Sequence, residues 1–505
     1  MTYQYTLKDL ELLRSHNKHV RVKATLLDDN YNEVENITGR VKSAPYDIAG
    51  DSAIRRTCSL TLSVPKKDQI NLDFERTWIK RMVRLSCGIS NRLASDDEFT
   101  WYPLGTMLMV DSNSLYNATT QEIKMSLVDL MAALTDSRGS QMGLGMKFPA
   151  GSSVRGALIA VVTEFSPYKR YNIPEFEDTI PYDIVIEAGR YPYDALKEIL
   201  DLFPYYEMFY DNEGIFTVQK IPMKIEDPVD MGSSFLDDML ISESRSVKFT
   251  DIKNTTEIWG RSLDALYTAL TCTSNGARYD LFIDSTFKEL VVGETYSFVP
   301  DLVSAGGQSV KIQDTPEYMI YKESGTGAFT AIESGAMHAG IPYVIRFSGD
   351  KFVLQGELEI HVIVQTITEE PSQGVIDEFK RSNACRDVRW LVSPDCPFAC
   401  VLEPTTKRID REIRQVLQNG EYSNIYTTEL AFERACYENW LKTRLQDVVE
   451  YEMLLIPWID VNDKVEFTSP VSGEIGTFIV QNVSFDFRRW TMTVRMSRFY
   501  PYYPW

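Results

Sequence analysis

The chain has 505 residues, 44% of them hydrophobic and 25% charged, proportions that exclude a disordered or collagen-like polypeptide. Its formal net charge of −20 and pI of about 4.8 have the wrong sign for a nucleic-acid binder, which carries a basic footprint. The acidity reads first as solubility, and second as a negatively lined channel or a rim that repels wrong contacts. No stretch approaches the ~18 apolar residues of a membrane span. Residues 1–20 are polar and lack an apolar core followed by small residues, so no signal peptide is expected, and the protein is expected to be made and kept in a cytoplasm until assembly or lysis.

Residues 1–16 read as a short amphipathic lead-in. Alternating strands follow at Val20–Leu27, Glu35–Val41 and Arg56–Val64, the last with apolar residues at every second position, the period of a strand buried on one face. Further strands are expected near Lys80–Ile89, Tyr102–Ser112 and Gln121–Val128, with Leu127–Leu134 helical. Gly139–Gly151 reads as a flexible linker or loop, because Lys147 is followed by Phe148-Pro149 and not by the ending of a phosphate-cradling loop. Ser153–Glu164 looks helical, with a serine cap. Ile184–Glu187 is a short apolar piece. Tyr193–Phe203 fits an amphipathic helix with Ala195, Leu196, Ile199, Leu200 and Phe203 on one face, stopped by Pro204. Tyr206–Tyr210 and Ile215–Val218, joined by Asp211–Gly214, read as a hairpin.

Residues 224–243 are acidic and loop-like, and a second strand set starts at Arg245. Between about 262 and 370 the chain alternates strands and turns, most clearly at Glu294–Phe298, Tyr343–Phe347 and Glu357–Thr366. Short helices are expected at Gly374–Ala384 and Glu412–Leu417, and a long one over Thr427–Asp447, capped by Thr428, with Leu430, Ala431, Ala435, Tyr437, Trp440, Leu441 and Leu445 on its apolar face. The helix runs into Val448–Leu455 and then Pro457-Trp458, and the end reads as strands at Lys464–Thr468, Gly476–Val483 and Thr491–Met496. The fold class is mainly β with a small α+β part.

Chemistry-bearing constellations are scarce. Seven scattered cysteines in a chain this long do not read as a disulfide framework. Cys385, Cys396 and Cys400 form the one cluster, but the second ligand pair of a zinc site is missing, and buried thiols are the expected reading. His16 and His19 have a spacing that could clamp a metal on a helix, yet no acidic partner is evident; His338 lies in a loop and His361 in a strand. Hydrolase and nucleotide-binding motifs are absent. Asp377, Glu378, Asp410 and Glu412 read as solvated faces of helices. Neither a catalytic residue, a metal site nor a cofactor is expected. Phe499, Tyr500, Tyr502, Tyr503 and Trp505 form an aromatic tail that suits a subunit interface, since such rings bury much area behind a polar tip; a sugar platform is the alternative.

Four segments together resemble a known family. They are Asp51-Ser-Ala-Ile-Arg-Arg-Thr-Cys-Ser-Leu-Thr-Leu62; Tyr193–Leu200 with Tyr210-Asp-Asn-Glu-Gly-Ile-Phe216; Asp251–Gly260; and Pro457-Trp-Ile-Asp-Val-Asn-Asp-Lys-Val-Glu-Phe467 with Gly476–Phe485 and Met492–Ser497. In order and spacing they resemble the tail-hub and baseplate-hub proteins of bacteriophages, over about 1–260 and 375–505.

The resemblance implies two similar β-barrel-like tube domains, so that a homotrimer presents a pseudo-sixfold ring that closes the tail tube. It divides the chain into a first tube domain (1–138), an α+β bracing domain (152–223), a second, split tube domain (244–262 plus 448–505), an inserted all-β domain (263–372) and a helical or irregular connecting segment (373–447). The implied role is that of a structural, non-enzymatic virion protein at the tail tip, assembled in the host cytoplasm and involved in host attachment and DNA ejection. The implied partners are further copies of itself, the distal tail protein or tail tube, the tape-measure protein and fibre, spike or receptor-binding proteins, with DNA only as transient cargo. The alternative is a carbohydrate-binding or glycan-hydrolysing tail surface protein, for which the aromatics, the acidic residues and the β content speak.

Overall fold

The computed structural model describes residues 5–36, 41–64, 81–91, 98–116, 121–224, 226–232, 236–248, 253, 255–261, 270–283, 289–323, 328–357, 359–367, 388–391, 414–418, 420–425, 427–443, 446–470, 473, 475–499 and 502. It is mainly β, with small α+β parts. The chain separates into two compact units. The first comprises Met1–Ile180, Ile184–Asp251 and Leu445–Tyr503; the second comprises Pro181–Asp183, Ile252–Arg444 and Pro504–Trp505.

The first unit opens with helix α1 (Leu7–Arg14), started by a capping box in which Thr6 and Asp9 satisfy each other's backbone N–H groups. Eight strands follow: β1 (His19–Leu27), β2 (Glu33–Asn36), β3 (Val41–Ser43), β4 (Tyr46–Ala49), β5 (Arg56–Val64), β6 (Met82–Ser90), β7 (Thr100–Tyr116) and β8 (Gln121–Asp129). They pair antiparallel in the order β4-β5-β8-β7-β6-β1-β2, with β3 also on β5. β3 approaches β1, so the sheet curls back towards itself. The expected helix at Leu127–Leu134 is a single 3-10 turn, Leu130–Ala133, because β8 runs on to Asp129, whose side chain accepts the Met131 N–H.

The next stretch is α+β: β9 (Met146–Phe148), α2 (Val154–Phe165), β10 (Tyr171–Asn172), β11 (Ile184–Ile186), α3 (Pro192–Leu200), β12 (Tyr206–Tyr210) and β13 (Phe216–Lys220). Ser153 caps α2 through Gly156 N–H at 3.1 Å. Ala195, Leu196, Ile199 and Leu200 are buried on α3. The glycine-rich stretch is more than a loop. Its β9 pairs with β11, and Gly145 is needed there because a Cβ would stand 2.7 Å from the Ile186 carbonyl oxygen. β14 (Leu240–Lys248) ends this part of the unit.

The second unit holds β15 (Thr255–Arg261), β16 (Thr271–Asn275), β17 (Arg278–Phe282), β18 (Thr295–Phe298), β19 (Ser309–Ile312), β20 (Tyr318–Glu323), β21 (Phe329–Ala331), β22 (Tyr343–Phe347), β23 (Phe352–Glu357), β24 (Glu359–Ile367), β25 (Val388–Leu391) and β26 (Arg414–Gln418), then α4 (Thr428–Thr443). β16–β23 make one sheet around a core that includes Tyr279, Phe298, Ile320, Tyr343 and Phe352. β25-β24-β15-β26 make another, with α4 against β24 and β15.

Three expectations change here. Thr427, one residue earlier than expected, caps α4. Residues 414–418 form a strand where a helix was expected, because its side chains find cross-strand partners: Arg414 pairs with Glu257 at 2.6 Å and Gln415 reaches the Thr256 hydroxyl at 2.8 Å. Residues 255–261, grouped above with the second tube domain, pair with β24 and β26 in this unit. The helix expected at Gly374–Ala384 lies outside the described residues.

β27 (Gln446–Leu454), β28 (Lys464–Thr468), β29 (Ile475–Asp486) and β30 (Thr491–Arg498) complete the first unit. They extend its sheet in the order β14-β27-β30-β29-β4, with β28 also on β29. The seam between the two halves is β29 on β4, from Asn482↔Ala49 to Phe485↔Tyr46. One hydrophobic cluster runs through both halves, from Leu60, Leu85 and Met125 to Tyr451, Val465 and Val494.

Candidate functional site: a buried arginine junction

β5 alternates. Arg56, Cys58, Leu60 and Leu62 point inward while Thr57 and Ser59 point out. Parity therefore drives a guanidinium into the core, where it is 1% exposed. A buried cation persists only if it is paired and hydrogen-bonded. Arg56 Nη2 meets the Asp460 carboxylate, and Nη1 donates to the Tyr210 carbonyl at 2.6 Å. Its backbone N–H donates to Asp129 Oδ2 at 2.9 Å.

Arg55 points the other way, is 4% exposed, and meets Glu207. That carboxylate also accepts from Asn462 Nδ2 at 2.7 Å and Gln219 Nε2 at 2.8 Å. The Arg55 guanidinium lies 3.9 Å from the centroid of the Phe209 ring. Arg55 Nη1 and Arg56 Nε are buried without a hydrogen-bond partner.

Electrostatics follow from the burial. Burial pushes the Asp129 carboxyl up, against the N–H groups of Arg56 and Met131 that favour its charged form. Burial works against the Arg56 cation, but Asp460, Tyr46 and Asp129 outweigh it and raise its pKa. Burial also raises the Tyr46 phenol, whose hydroxyl donates to the Leu104 carbonyl.

The residues come from distant places. Arg55, Arg56 and Asp129 belong to the first curled half, Glu207 and Tyr210 to β12, and Asp460 and Asn462 to the turn before β28. Asn462 holds φ 65°, a left-handed conformation that asparagine tolerates, and its N–H donates to the Val480 carbonyl at 2.9 Å. Gly50 admits this turn, since a Cβ there would stand 2.6 Å from Val461 Cγ1. Three of the four segments that carry the family resemblance thus meet at one point. The fourth, Asp251–Gly260, does not belong to it. What the junction does chemically is to fasten three parts of one unit; among the described residues it holds no nucleophile beside a base.

The aromatic tail lies elsewhere in the unit. Phe499 is 9% exposed, its N–H donates to the Thr477 carbonyl, and Lys464 Nζ sits 4.5 Å from its ring centroid. Tyr502 N–H donates to the Met223 carbonyl at 2.7 Å, and its ring lies 6.0 Å from that of Tyr205. Tyr500, Tyr503 and Trp505 lie outside the described residues, as do Cys385, Cys396, Cys400, Asp377, Glu378, Asp410 and Glu412.

His16 follows the end of α1 and His19 opens β1, so their spacing is not helical. His338 N–H donates to the Tyr343 hydroxyl. Among the described residues no group of three or more His, Cys, Asp or Glu could hold a metal ion, and no helix is long and apolar enough to cross a membrane.

Residues 395–503 match a family described as a domain of unknown function, DUF5048. No curated protein matches the chain. Among solved structures, the chain is similar to the 43 kDa tail protein of prophage MuSo2 from Shewanella oneidensis, at 11% identity and a TM-score of 0.49 over 95% of this chain and 98% of that one. It is also similar to a tail protein from Neisseria meningitidis MC58, at 8% identity and a TM-score of 0.44 over 95% and 96%. A third is the prophage tail protein gp18 from Listeria monocytogenes EGD-e, at 6% identity and a TM-score of 0.40 over 94% of each chain. All three are described as tail proteins.

Proposed function

We propose that the chain is a structural, non-catalytic subunit of a phage-type tail, the hub at its distal end. The observation that supports this reading is the thirteen-stranded sheet, whose two halves are joined edge to edge and fastened by the arginine junction. A hub must present two similar barrels per chain in one fixed relation, so that three chains offer six positions to a sixfold tube and three to a spike or tip. A continuous sheet, a shared core and a buried ionic clamp supply that rigidity. The mechanism is geometric: the ring closes the tube, anchors fibre or receptor-binding proteins, and opens for the tape-measure protein and DNA.

Residues 263–372 would contact a neighbouring tip protein or a host surface sugar, as surface insertions commonly do. Unchanged adsorption and tail assembly after deletion of 265–370 would remove that part of the proposal.

The test is particle mass and electron imaging of the purified chain, alone and mixed with its tail-tube neighbour, together with tails assembled without it. A trimeric ring and tails lacking their distal cap are expected. A monomer in every mixture, with normal tails in its absence, overturns the reading.

A further inference from the structure

β16 and β17 form a tight hairpin in the second unit. Their register runs from Thr271↔Phe282 to Asn275↔Arg278, which leaves Gly276 and Ala277 as a two-residue turn. Gly276 holds φ 65° while Ala277 stays out of the left-handed region, the pattern of a type II′ turn with glycine at its first central position.

This turn sets an electrophile beside a nucleophile. Asn275 is exposed at the end of β16, and its side-chain Cγ can close a cyclic imide with the Gly276 nitrogen. Glycine puts no Cβ over that nitrogen, and a Cβ added there would meet nothing within 4 Å, so the tip stands clear of the rest of the chain. Among the described residues, neither the Asn275 carboxamide nor the Gly276 N–H has a hydrogen-bond partner. Other asparagines are tied down. Asn212 Nδ2 donates to the Pro103 carbonyl at 3.3 Å, Asn462 Nδ2 to Glu207 at 2.7 Å, and the buried Asn439 accepts from the Thr256 hydroxyl at 3.1 Å. None of these three precedes a glycine.

We propose that Asn275 is a self-modification site, converted in the folded protein to aspartate and isoaspartate by attack of the Gly276 nitrogen, with water as the one co-reactant. The nitrogen gives its proton to solvent base and bonds to Asn275 Cγ, the Cγ–Nδ2 bond breaks, and ammonia leaves. Water then opens the imide. Cleavage of the new N–Cγ bond yields aspartate. Cleavage of the original peptide bond yields isoaspartate, whose main chain runs through the side-chain carbon. An extended Asn275 keeps Cγ away from the nitrogen, so ring closure waits on opening of the hairpin tip, the part of the hairpin that opens most readily. Either product puts a negative charge directly across from Arg278, which already pairs with Asp280 at 2.7 Å and Glu317 at 3.5 Å. Isoaspartate also lengthens the main chain, and a two-residue turn cannot absorb that without losing the Asn275↔Arg278 pairing.

The full chain is held at 37 °C at pH 7 and at pH 9, digested, and followed peptide by peptide by mass spectrometry and isoaspartyl methyltransferase labelling. Residue 275 should convert roughly tenfold or more faster than Asn212 and Asn462, and faster at pH 9 than at pH 7. Asn275→Ser should abolish the labelling of that peptide and leave the melting temperature unchanged. The second Asn-Gly pair begins at Asn419, outside the described residues, and is read from its own peptide. Conversion at 275 no faster than at Asn212 and Asn462 overturns the proposal, as does conversion confined to the urea-unfolded chain.

Discussion

Replacing Asp460 by alanine strands a buried cation. The Arg56 side chain is 1% exposed, whereas that of Asp460 is 27% exposed. Without Asp460, Nη2 loses its partner, Nε already has none, and only the Tyr210 bond from Nη1 remains. Breaking a buried pair in this direction costs about 3–5 kcal/mol. The partial exposure of Asp460 lets water into the vacated space, which places the expected loss near ~3 kcal/mol.

Arg56→Met is expected to be milder. Asp460 then rehydrates on its open side, and the main loss is the bond to the buried Tyr210 carbonyl, about 1–3 kcal/mol. The double variant should lie close to Arg56→Met and well short of the sum, with a coupling of roughly 3 kcal/mol. Equilibrium urea unfolding followed by tryptophan fluorescence measures all three, and amide exchange at 458–463 reports whether the turn loosens first. A loss below ~1 kcal/mol for Asp460→Ala, the value of an exposed ion pair, or strict additivity in the double variant would refute the argument.

Gly50→Ala should cost about 1–3 kcal/mol in thermal unfolding, because the new methyl meets Val461 Cγ1 at 2.6 Å and the Gln481 carbonyl oxygen at 3.0 Å. Burial pushes the Asp9 carboxyl up, but the hydroxyls of Tyr102 and Thr6 and the Thr6 N–H outweigh it and hold it below its usual range. Asp9 therefore stabilises the fold above the ordinary carboxylate pKa, and that contribution is lost as pH falls through its folded value. The stability gap between the wild type and Asp9→Asn should narrow from pH 6 to pH 3, and a constant gap would sink this assignment. Asp129, raised by burial, acts oppositely: its contribution is present at low pH and lost as pH rises through its folded value. Phe499→Ala should lower monomer stability by about 3 kcal/mol, while removal of 503–505 should leave the melting curve unchanged and impair ring assembly.

Much of the strand architecture was legible, because half-buried strands write their period of two into the chain. Arg56–Val64 and Lys464–Thr468 have the expected bounds, and α3 presents the expected face. The misreadings share a physical cause. Arg414–Gln418 is a strand because Glu257 and Thr256 await its side chains, and the glycine-rich stretch contains β9 because β11 is there to pair with it. Local propensity cannot show either partner. The junction was not anticipated, although half of its signal was present: with Cys58, Leu60 and Leu62 inward, parity already put Arg56 inward. Its partners, 73, 154 and 404 residues away, were not visible in that pattern. The tail residue Phe499 was expected at a subunit surface, and its ring is largely enclosed by its own chain.

The split of the sheet's second half across some two hundred residues follows from one pairing. β14 and β27 are antiparallel neighbours, and their register runs from Leu240↔Met453 to Lys248↔Gln446. The chain leaves the sheet after Lys248 and re-enters at Gln446, at directly opposed positions about 5 Å apart. Any folded unit whose ends lie that close together can occupy the gap without disturbing a ladder bond, since a long connection adds little closure cost when its own interior is folded. The segments before and after the gap therefore behave as one hairpin, and the shared core through Tyr451, Val465 and Val494 does not depend on what is inserted. A shortened chain in which a two-residue Asn-Gly turn joins Lys248 directly to Gln446 should fold, keep the Arg56–Asp460 clamp and unfold cooperatively. If it does not, the first unit draws stability from the second, and the sheet is not the self-sufficient frame that a hub requires.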